Sequence, residues 1–533
     1  MAKTKKVEFK PNLIDKAIAY VSPKAAYRRH QSRMALAMSG GHGGYSGARV
    51  DRTALANWRV SSGSAETDIN PDLPNLRERS RDLVRNTPIA TGAVELATTH
   101  VIGTGLSPQP MPDYKFLGLT EEQSSDWIDN TVREFNIFAM SKDASIERDL
   151  NFYQLQALVF RSRMESGDVF ALTPSIDRAA VYSLCLQVIE ADRISNPGRK
   201  QNTNNLVDGI EKDPATGASI RCHIANKHPG DYRNASSTTW TAYNFYGTNG
   251  RRNVLHIFKK LRPGQVRGVP DFAPIIEPLK QLGRYTDAEL QAAVVSGMFA
   301  IFMKMDPDGF QEIFDNNAQS ALVQKAGEWE GDMDNGGKAV NLLPGEEPVT
   351  VNPGRPNSEF DPFVQAIIRQ IGMALGIPYE VLIMHYQSSY SAARAAMLNA
   401  WRTWRLARDW MATDFCQPVY ELWLEEAVAR GYIKAPGFFQ DKRVRAAWCK
   451  AQWIGDGPGS IDPVKEVDAA EKRVELGIST LAAESVLHDG IDWKSKHEQR
   501  TKEKKMRDEA GLTSSSKQSA PMISNDATSR IED

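Results

Sequence analysis

Residues 359–427 read EFDPFVQAIIRQIGMALGIPYEVLIMHYQSSYSAARAAMLNAWRTWRLARDWMATDFCQPVYELWLEEA, and the rest of the chain is read outward from them. Phe363, Ile367, Ile371 and Leu375 recur at every fourth position, which predicts a helix with a buried apolar stripe. Gly376 and Pro378 end it: glycine tolerates the left-handed cap, and proline cannot continue the ladder. A polar and aromatic loop follows, His385-Tyr386-Gln387-Ser388-Ser389-Tyr390. A second helix then carries Met397, Trp401, Trp404, Met411, Phe415, Val419 and Leu422 along one side. Met397, Trp401 and Trp404 are expected to be buried packing.

The chain has 533 residues, enough for about two to four domains. Hydrophobic residues make up 41% and charged residues 25%, so sizeable cores can form. No run of about eighteen apolar residues exists, and no membrane span is expected. The opening MAKTKKVEFKP lacks the apolar stretch of a secretory leader, which points to work in a cytoplasm. Cys185, Cys222, Cys416 and Cys449 are far apart and form no CxxC, so they read as free core thiols.

Residues 1–33 are basic and suit either an arm touching nucleic acid or an acidic partner, or a solvated amphipathic helix. Gly40 to Gly47 is glycine-rich without the lysine of a phosphate-binding loop and reads as a connection. Helical patterns cover Leu76–Thr99, closed by Gly103-Thr104-Gly105, then Glu121–Phe138 and Phe152–Glu165. Strand-like runs follow in DVFALTP and YSLCLQVIEADRI. A hairpin is expected between Val207–Glu211 and Ser219–Ile224 around Asp213–Gly217, with a further strand at Asn253–Phe258. A long helix is expected after Pro270 and Pro274, bent or delayed by Pro278 and reaching about Phe302, on the order of 40–45 Å. Residues 306–357 turn acidic and turn-rich, with Glu328, Glu330, Asp332 and Asp334 among their carboxylates. Their end, KAVNLLPGEEPVTVNPGRP, reads as strand, Pro-Gly turn, strand. Helices are expected again at Pro463–Leu476, Thr480–His488 and Trp493–Ala510, and disorder from Ser514 onward.

No HExxH, GxSxG, GxxxxGK[ST] or spaced Cys/His cluster occurs. His385 beside Tyr386 and Ser388 has no local orienting group of the kind a catalytic base requires. No catalytic residue, metal site or cofactor is therefore expected.

GIPYEVL, the polar loop and YSAARAAMLNAWR resemble the portal proteins of tailed phages, specifically the lambda-like family. NLIDKAIAYVSPKAAYRRHQSRMALA resembles that family's opening helix, and NVLHIFKKLRPGQVRGVPDFAPIIEPLKQLGRYTDAELQAA its first long helix with the preceding turn. The resemblance runs in order from about Asn12 to Trp493. It implies an α+β portal fold, with a basic arm and linker over residues 1–50 and a wing over 51–262. A first stem helix would span 263–305, a small β-containing clip 306–357 and a second stem helix 358–383. A tunnel loop would cover 384–391, a long helix 392–431, C-terminal wing or crown helices 432–510, and a disordered tail 511–533.

It further implies a ring of copies, twelve by family habit, at one capsid vertex of the virion, assembled in the host cytoplasm. Double-stranded DNA would pass through it during packaging and ejection. His385–Tyr390 would face that DNA, unless they form a plain hairpin loop at a subunit interface. The acidic segment with Glu328, Glu330, Asp332 and Asp334 would be a docking rim, unless it is an ordinary surface insertion. Implied partners are the terminase large subunit, the major capsid or scaffold protein and head-completion or tail connector proteins. A formal net charge of −1 suits a channel along which DNA slides, because a strongly basic lining would grip phosphates through counterion release. Rival readings are a nucleic-acid-processing enzyme with an unrecognised acidic metal site and a scaffold-like adaptor without a channel.

Overall fold

The computed structural model describes residues 62–231, 238–297, 301–305, 346–350, 359–386, 389–459, 462–491 and 493–512, with residues 18, 20, 22–25, 27 and 28. The chain divides into two units, residues 1–64 and 65–533. In the first, the described residues near Ile18–Arg28 are mostly helical, and Ser22 N donates to Ile18 O at 2.8 Å. The glycine-rich connection, residues 306–345 and 351–357 of the acidic segment, and the tail from Ser514 lie outside the described residues.

The second unit opens with α1 (Ala65–Ile69), α2 (Leu73–Asn86) and α3 (Pro88–Val101). The sequence pattern suggested one helix over Leu76–Thr99; there are two. Thr87 is extended, as a residue before proline prefers, and Pro88 starts α3, where its missing N–H costs nothing. Strand β1 (Ser107–Pro110), α4 (Tyr114–Leu117), α5 (Glu121–Met140) and α6 (Phe152–Ser166) follow. Capping boxes at Thr120/Gln123 and Asn151/Gln154 satisfy the first free amides of α5 and α6.

Strands β2 (Asp168–Leu172), β3 (Gln187–Glu190), β4 (Leu206–Val207), β5 (Ile210–Lys212), β6 (Ser219–Ala225), β7 (Trp240–Asn244) and β8 (Val254–Phe258) form two antiparallel sheets, ordered β3-β2-β8 and β4-β5-β6-β7. The expected hairpin across Asp213–Gly217 joins β5 to β6, but its first arm is two strands. Asp208 and Gly209, with φ of 45° and 81°, reverse the chain between them.

The long helix α7 (Ile276–Gly297) is shorter than expected, about 33 Å at 1.5 Å per residue. Pro278 sits in its first turn, where the missing N–H costs no intrahelical bond. Phe302 belongs to β9 (Ile301–Met305), which pairs antiparallel with β10 (Glu346–Thr350). The partner of residues 346–350 is thus the stretch after α7, whereas the sequence pattern had offered the segment just before the Pro-Gly turn.

Helices α8 (Phe360–Leu375), α9 (Tyr379–Leu382) and α10 (Tyr390–Met411) come next. A π-helical turn at Ala412–Cys416 carries α10 into α11 (Gln417–Ala429). Pro418 near the start of α11 lacks an N–H to give back, and the wider turn lies directly ahead of it. Helix α12 (Lys442–Trp448), strand β11 (Ala451–Ile454), and α13 (Pro463–Glu475), α14 (Leu481–Asp489) and α15 (Trp493–Glu509) complete the chain. β11 pairs with β1, bringing Trp453 opposite Pro108.

One large core joins α2, α3, α5 and α6 to α8–α12 through Phe135, Phe152, Phe415, Tyr420 and Trp423. Phe135 meets Trp423 edge-on at 4.9 Å and Phe152 at 5.7 Å. A smaller core of Phe170, Ile210, Cys222 and Ile224 sits between the two sheets of the α+β portion. All four cysteines are free and buried.

Candidate functional site

The helix–loop–helix is built from its glycines outward. Gly376, at φ 69°, closes α8, and Ile377 N donates to Gly372 O at 2.9 Å. A Cβ on Gly376 would lie 2.8 Å from Thr403 Cγ2, so the cap is pressed against α10. Ile377, Val381 and Leu382 then bury themselves and anchor α9. Met384 N donates to Val381 O at 3.3 Å and His385 N to Glu380 O at 3.0 Å. Met384 itself has φ 53°, a conformation uncommon outside glycine. The reversal there leaves His385 and Tyr386 exposed.

Gln387 and Ser388 lie outside the described residues. Ser389 is the residue before α10, and its hydroxyl lies 3.2 Å from that of Ser391. Tyr390, expected in the loop, is the first residue of α10. Glu328, Glu330, Asp332 and Asp334 also lie outside the described residues. The expected stripe of α8 is buried at Ile371, with Ile367 and Leu375 partly buried against the core, and departs only at Phe363. Ile368, Ile371 and Gly372 are buried while Phe363 is 51% exposed, because a strict four-residue spacing drifts around a helix of 3.6 residues per turn. Phe363 and Phe360 still pack on Tyr285 of α7, at ring distances of 5.0 and 5.5 Å.

Helix α10 is held by its inner face. Trp404 is 3% exposed and stacks on His100, while Met397 and Trp401 are partly buried. Arg408 lies over the Trp401 ring at 5.0 Å, and its Nε and Nη2 donate to Val101 O and His100 O at 3.0 Å. These are the free carbonyls at the end of α3, where a cation is favoured. Burial, with Arg408 beside it, holds the His100 imidazole below its ordinary pKa. Asp456 clamps the same end, accepting from Thr104 N and Thr104 Oγ1 at 2.9 Å. Sequence reasoning missed Arg408 and Asp456, because their partners lie more than 300 positions away.

The loop offers contact rather than chemistry. His385 and Tyr386 are exposed, and a catalytic base needs a partner that orients it. Among the described residues no group of three or more His, Cys, Asp or Glu could hold a metal ion. A cleft of about 470 Å³ beside Phe138 and Tyr182 is lined mostly by apolar side chains and lies on other elements. No helix among the described residues is long and apolar enough to cross a membrane.

The model of the lambda-family phage portal proteins matches residues 51–408, two thirds of the chain and the whole of this loop. The chain is 28% identical to the portal protein of Escherichia phage N15 over 494 residues, covering 89% of this chain and 91% of that one. It is 27% identical to portal protein B of Escherichia phage lambda, with the same coverage. A chain from the neck of a native gene transfer agent particle is similar at 12% identity and a TM-score of 0.41, covering 78% of this chain and 92% of that one. The chain belongs to the lambda family of phage portal proteins, components of the phage head–tail connector. Nothing in these relationships supports the nucleic-acid-processing enzyme.

Proposed function

We propose that copies of this chain close into a ring around an axial channel for double-stranded DNA, with His385–Tyr390 facing the duplex. The observation that carries this reading is the uncovered apolar surface of the helices around the loop. Leu290 and Val294 on α7, Phe363 and Met373 on α8, and Leu398 and Leu406 on α10 are each more than half exposed. Farther along, α13 and α14 bury no residue in the single chain, yet carry Val464, Val467, Leu481 and Leu487. Apolar surface of this extent marks a protein interface, and heterologous contacts that close give a cyclic ring. Twelve copies follow from family habit.

In this reading α7 and α8 are stem helices, residues 51–262 the wing and β9–β10 the base of the clip. The acidic stretch with Glu328, Glu330, Asp332 and Asp334 is the rim that meets the terminase large subunit and later the head-completion or tail connector proteins. The ring sits at one vertex of the virion, against the capsid or scaffold protein, after assembly in the host cytoplasm. The protein has no catalytic role; DNA is driven by the separate terminase. Exposed polar and aromatic side chains at the loop touch a moving duplex without the clamp a lysine-rich lining would impose. Negative-stain imaging with native mass measurement tests the assembly. Rings with a hole wide enough for a duplex support it, and a monomer or dimer at every salt concentration, even with scaffold or capsid protein present, overturns it.

A further inference from the structure

Helices α13 and α15 each carry a charged stripe that the single chain leaves unpaired. On α13, Val464, Val467, Asp468, Glu471 and Glu475 recur at helical spacing and are all exposed. The rest of that helix is engaged with its own chain. Arg473 Nη2 donates to Glu484 of α14 at 2.6 Å, Glu466 lies 3.7 Å from Arg394 of α10, and Lys465 is held by Asp462 at 2.8 Å. Lys472 stands at the edge of the stripe.

On α15, Arg500, Lys504 and Arg507 share one face. Its first turn is tied down: Lys494 Nζ donates to Ser125 Oγ at 3.0 Å and Lys496 Nζ to Asp489 Oδ1 at 2.7 Å. From His497 to Glu509 every residue is exposed. Glu503, at one edge of the stripe, accepts from Gln499 at 3.0 Å, and Asp508 stands at the other edge. Among the described residues none of Asp468, Glu471, Glu475, Arg500, Lys504 and Arg507 has an ion-pair partner.

The two stripes match each other in length and oppose each other in sign. Asp468 to Glu475 and Arg500 to Arg507 both cover about 10 Å of helix axis. Between His497 and Glu509 the only apolar side chain is Met506, so α15 has no apolar face to seat in a groove, and its partner is an anionic surface. A duplex would satisfy the α15 cations but would be repelled by the α13 carboxylates and would leave Val464 and Val467 uncovered. A second copy satisfies both stripes at once, because two different and complementary patches on one molecule are what a heterologous contact joins. We propose that α13 of one copy lies along α15 of the next, with Asp468, Glu471 and Glu475 facing Arg500, Lys504 and Arg507. Val464 and Val467 pack on the methylene stems of those cations. Exposed ion pairs are individually weak, so the charges set partner and register while the apolar contact adds area. This contact rests on the ring reading and adds to it which surfaces meet.

Charge reversal in the full-length protein tests the contact. One variant carries Asp468→Lys, Glu471→Lys and Glu475→Lys; the other carries Arg500→Glu, Lys504→Glu and Arg507→Glu. All six positions are exposed, so each variant should melt as the unaltered protein does. Native mass measurement and negative-stain imaging should show at least about tenfold fewer rings from either variant alone, since like charges then face each other at every contact. An equimolar mixture should restore rings of alternating variants, because every contact again joins opposite signs. Should a triple reversal misfold, Glu471→Lys and Lys504→Glu repeat the test with the central residue of each stripe. Rings from each variant alone, or no rings from a mixture of two well-folded variants, overturn the contact. Intact rings of the α15 variant that retain less duplex DNA than unaltered rings overturn it in favour of a DNA-binding stripe. Unaltered protein that never forms rings overturns the ring reading and this contact together, whereas rings in both variants overturn this contact alone.

Discussion

Arg267 Nε donates to Asp168 Oδ2 at 2.7 Å, and neither side chain is more than 1% exposed. Asp168 also accepts from Arg77 Nη2 at 2.9 Å, from Gly268 N at 3.1 Å and from His256 Nε2 at 3.2 Å. Gly167 and Gly268 make this possible: a Cβ on Gly268 would lie 2.0 Å from Gly167 O, so the two backbones touch. The carboxylate ties α2, β2, β8 and the approach to α7 into one body. Removing one partner of a buried, hydrogen-bonded charge group leaves the others uncompensated. Asp168→Ala should therefore cost about 3–5 kcal/mol in chemical denaturation. A loss below about 1 kcal/mol would show that the network does not hold the α+β portion together.

Stability should fall with acid in two stages. Burial alone would raise the Asp168 pKa, but the Arg267 and Arg77 guanidinium groups and the His256 hydrogen bond drive it well below the ordinary carboxylate range. His256 and His100 are both held below the ordinary imidazole value, chiefly by burial. A depressed pKa contributes stability above the unfolded value, which is lost as pH falls toward the folded one. The histidine contribution thus declines below about pH 6.5, and the Asp168 contribution below about pH 4. Melting temperature measured from pH 8 to pH 3 should show both declines, and the upper one should shrink in His100→Gln and His256→Gln. A flat profile between pH 7 and pH 5 would contradict the burial of neutral imidazoles.

Trp404 fills the space between α10 and α3, its ring 4.0 Å from that of His100 and nearly parallel to it. Trp404→Ala should cost about 3–5 kcal/mol, read from the denaturation midpoint or from lost oligomer. Trp404→Phe should recover part of that. A Trp404→Ala protein as stable and as fully assembled as the parent would remove Trp404 from the core.

Gly376 is constrained twice, by its left-handed φ and by Thr403. Gly376→Ala should lower stability by about 1–2 kcal/mol, and Thr403→Ala in the same chain should return the steric part only. Full recovery by Thr403→Ala would mean that backbone conformation contributes nothing there.

Much of this fold is legible locally. Helices α5, α6, α8 and α10 follow from apolar periodicity, and the end of α8 from Gly376 and Pro378. The errors share a cause. The end of α7 is decided by pairing of Ile301–Met305 with Glu346–Thr350, a contact about fifty residues away that overrides a continuous apolar run. Pairing of Ser107–Pro110 with Ala451–Ile454 has no local signal, since two prolines argue against a strand until the edge position is known. Asp168 and Arg267 read as ordinary polar residues until the fold brings them together. The loop at His385 was legible as a polar break between helices; its exposure depends on the reversal at Met384, which sequence pattern does not register.

The most direct test is a three-dimensional reconstruction of the assembled oligomer by electron cryo-microscopy. The account predicts a closed ring whose narrowest point is lined by His385 to Ser389 from every copy, with α8 and α10 leading to it. A ring with that loop on its outer wall, or buried between neighbouring copies away from the axis, would contradict it.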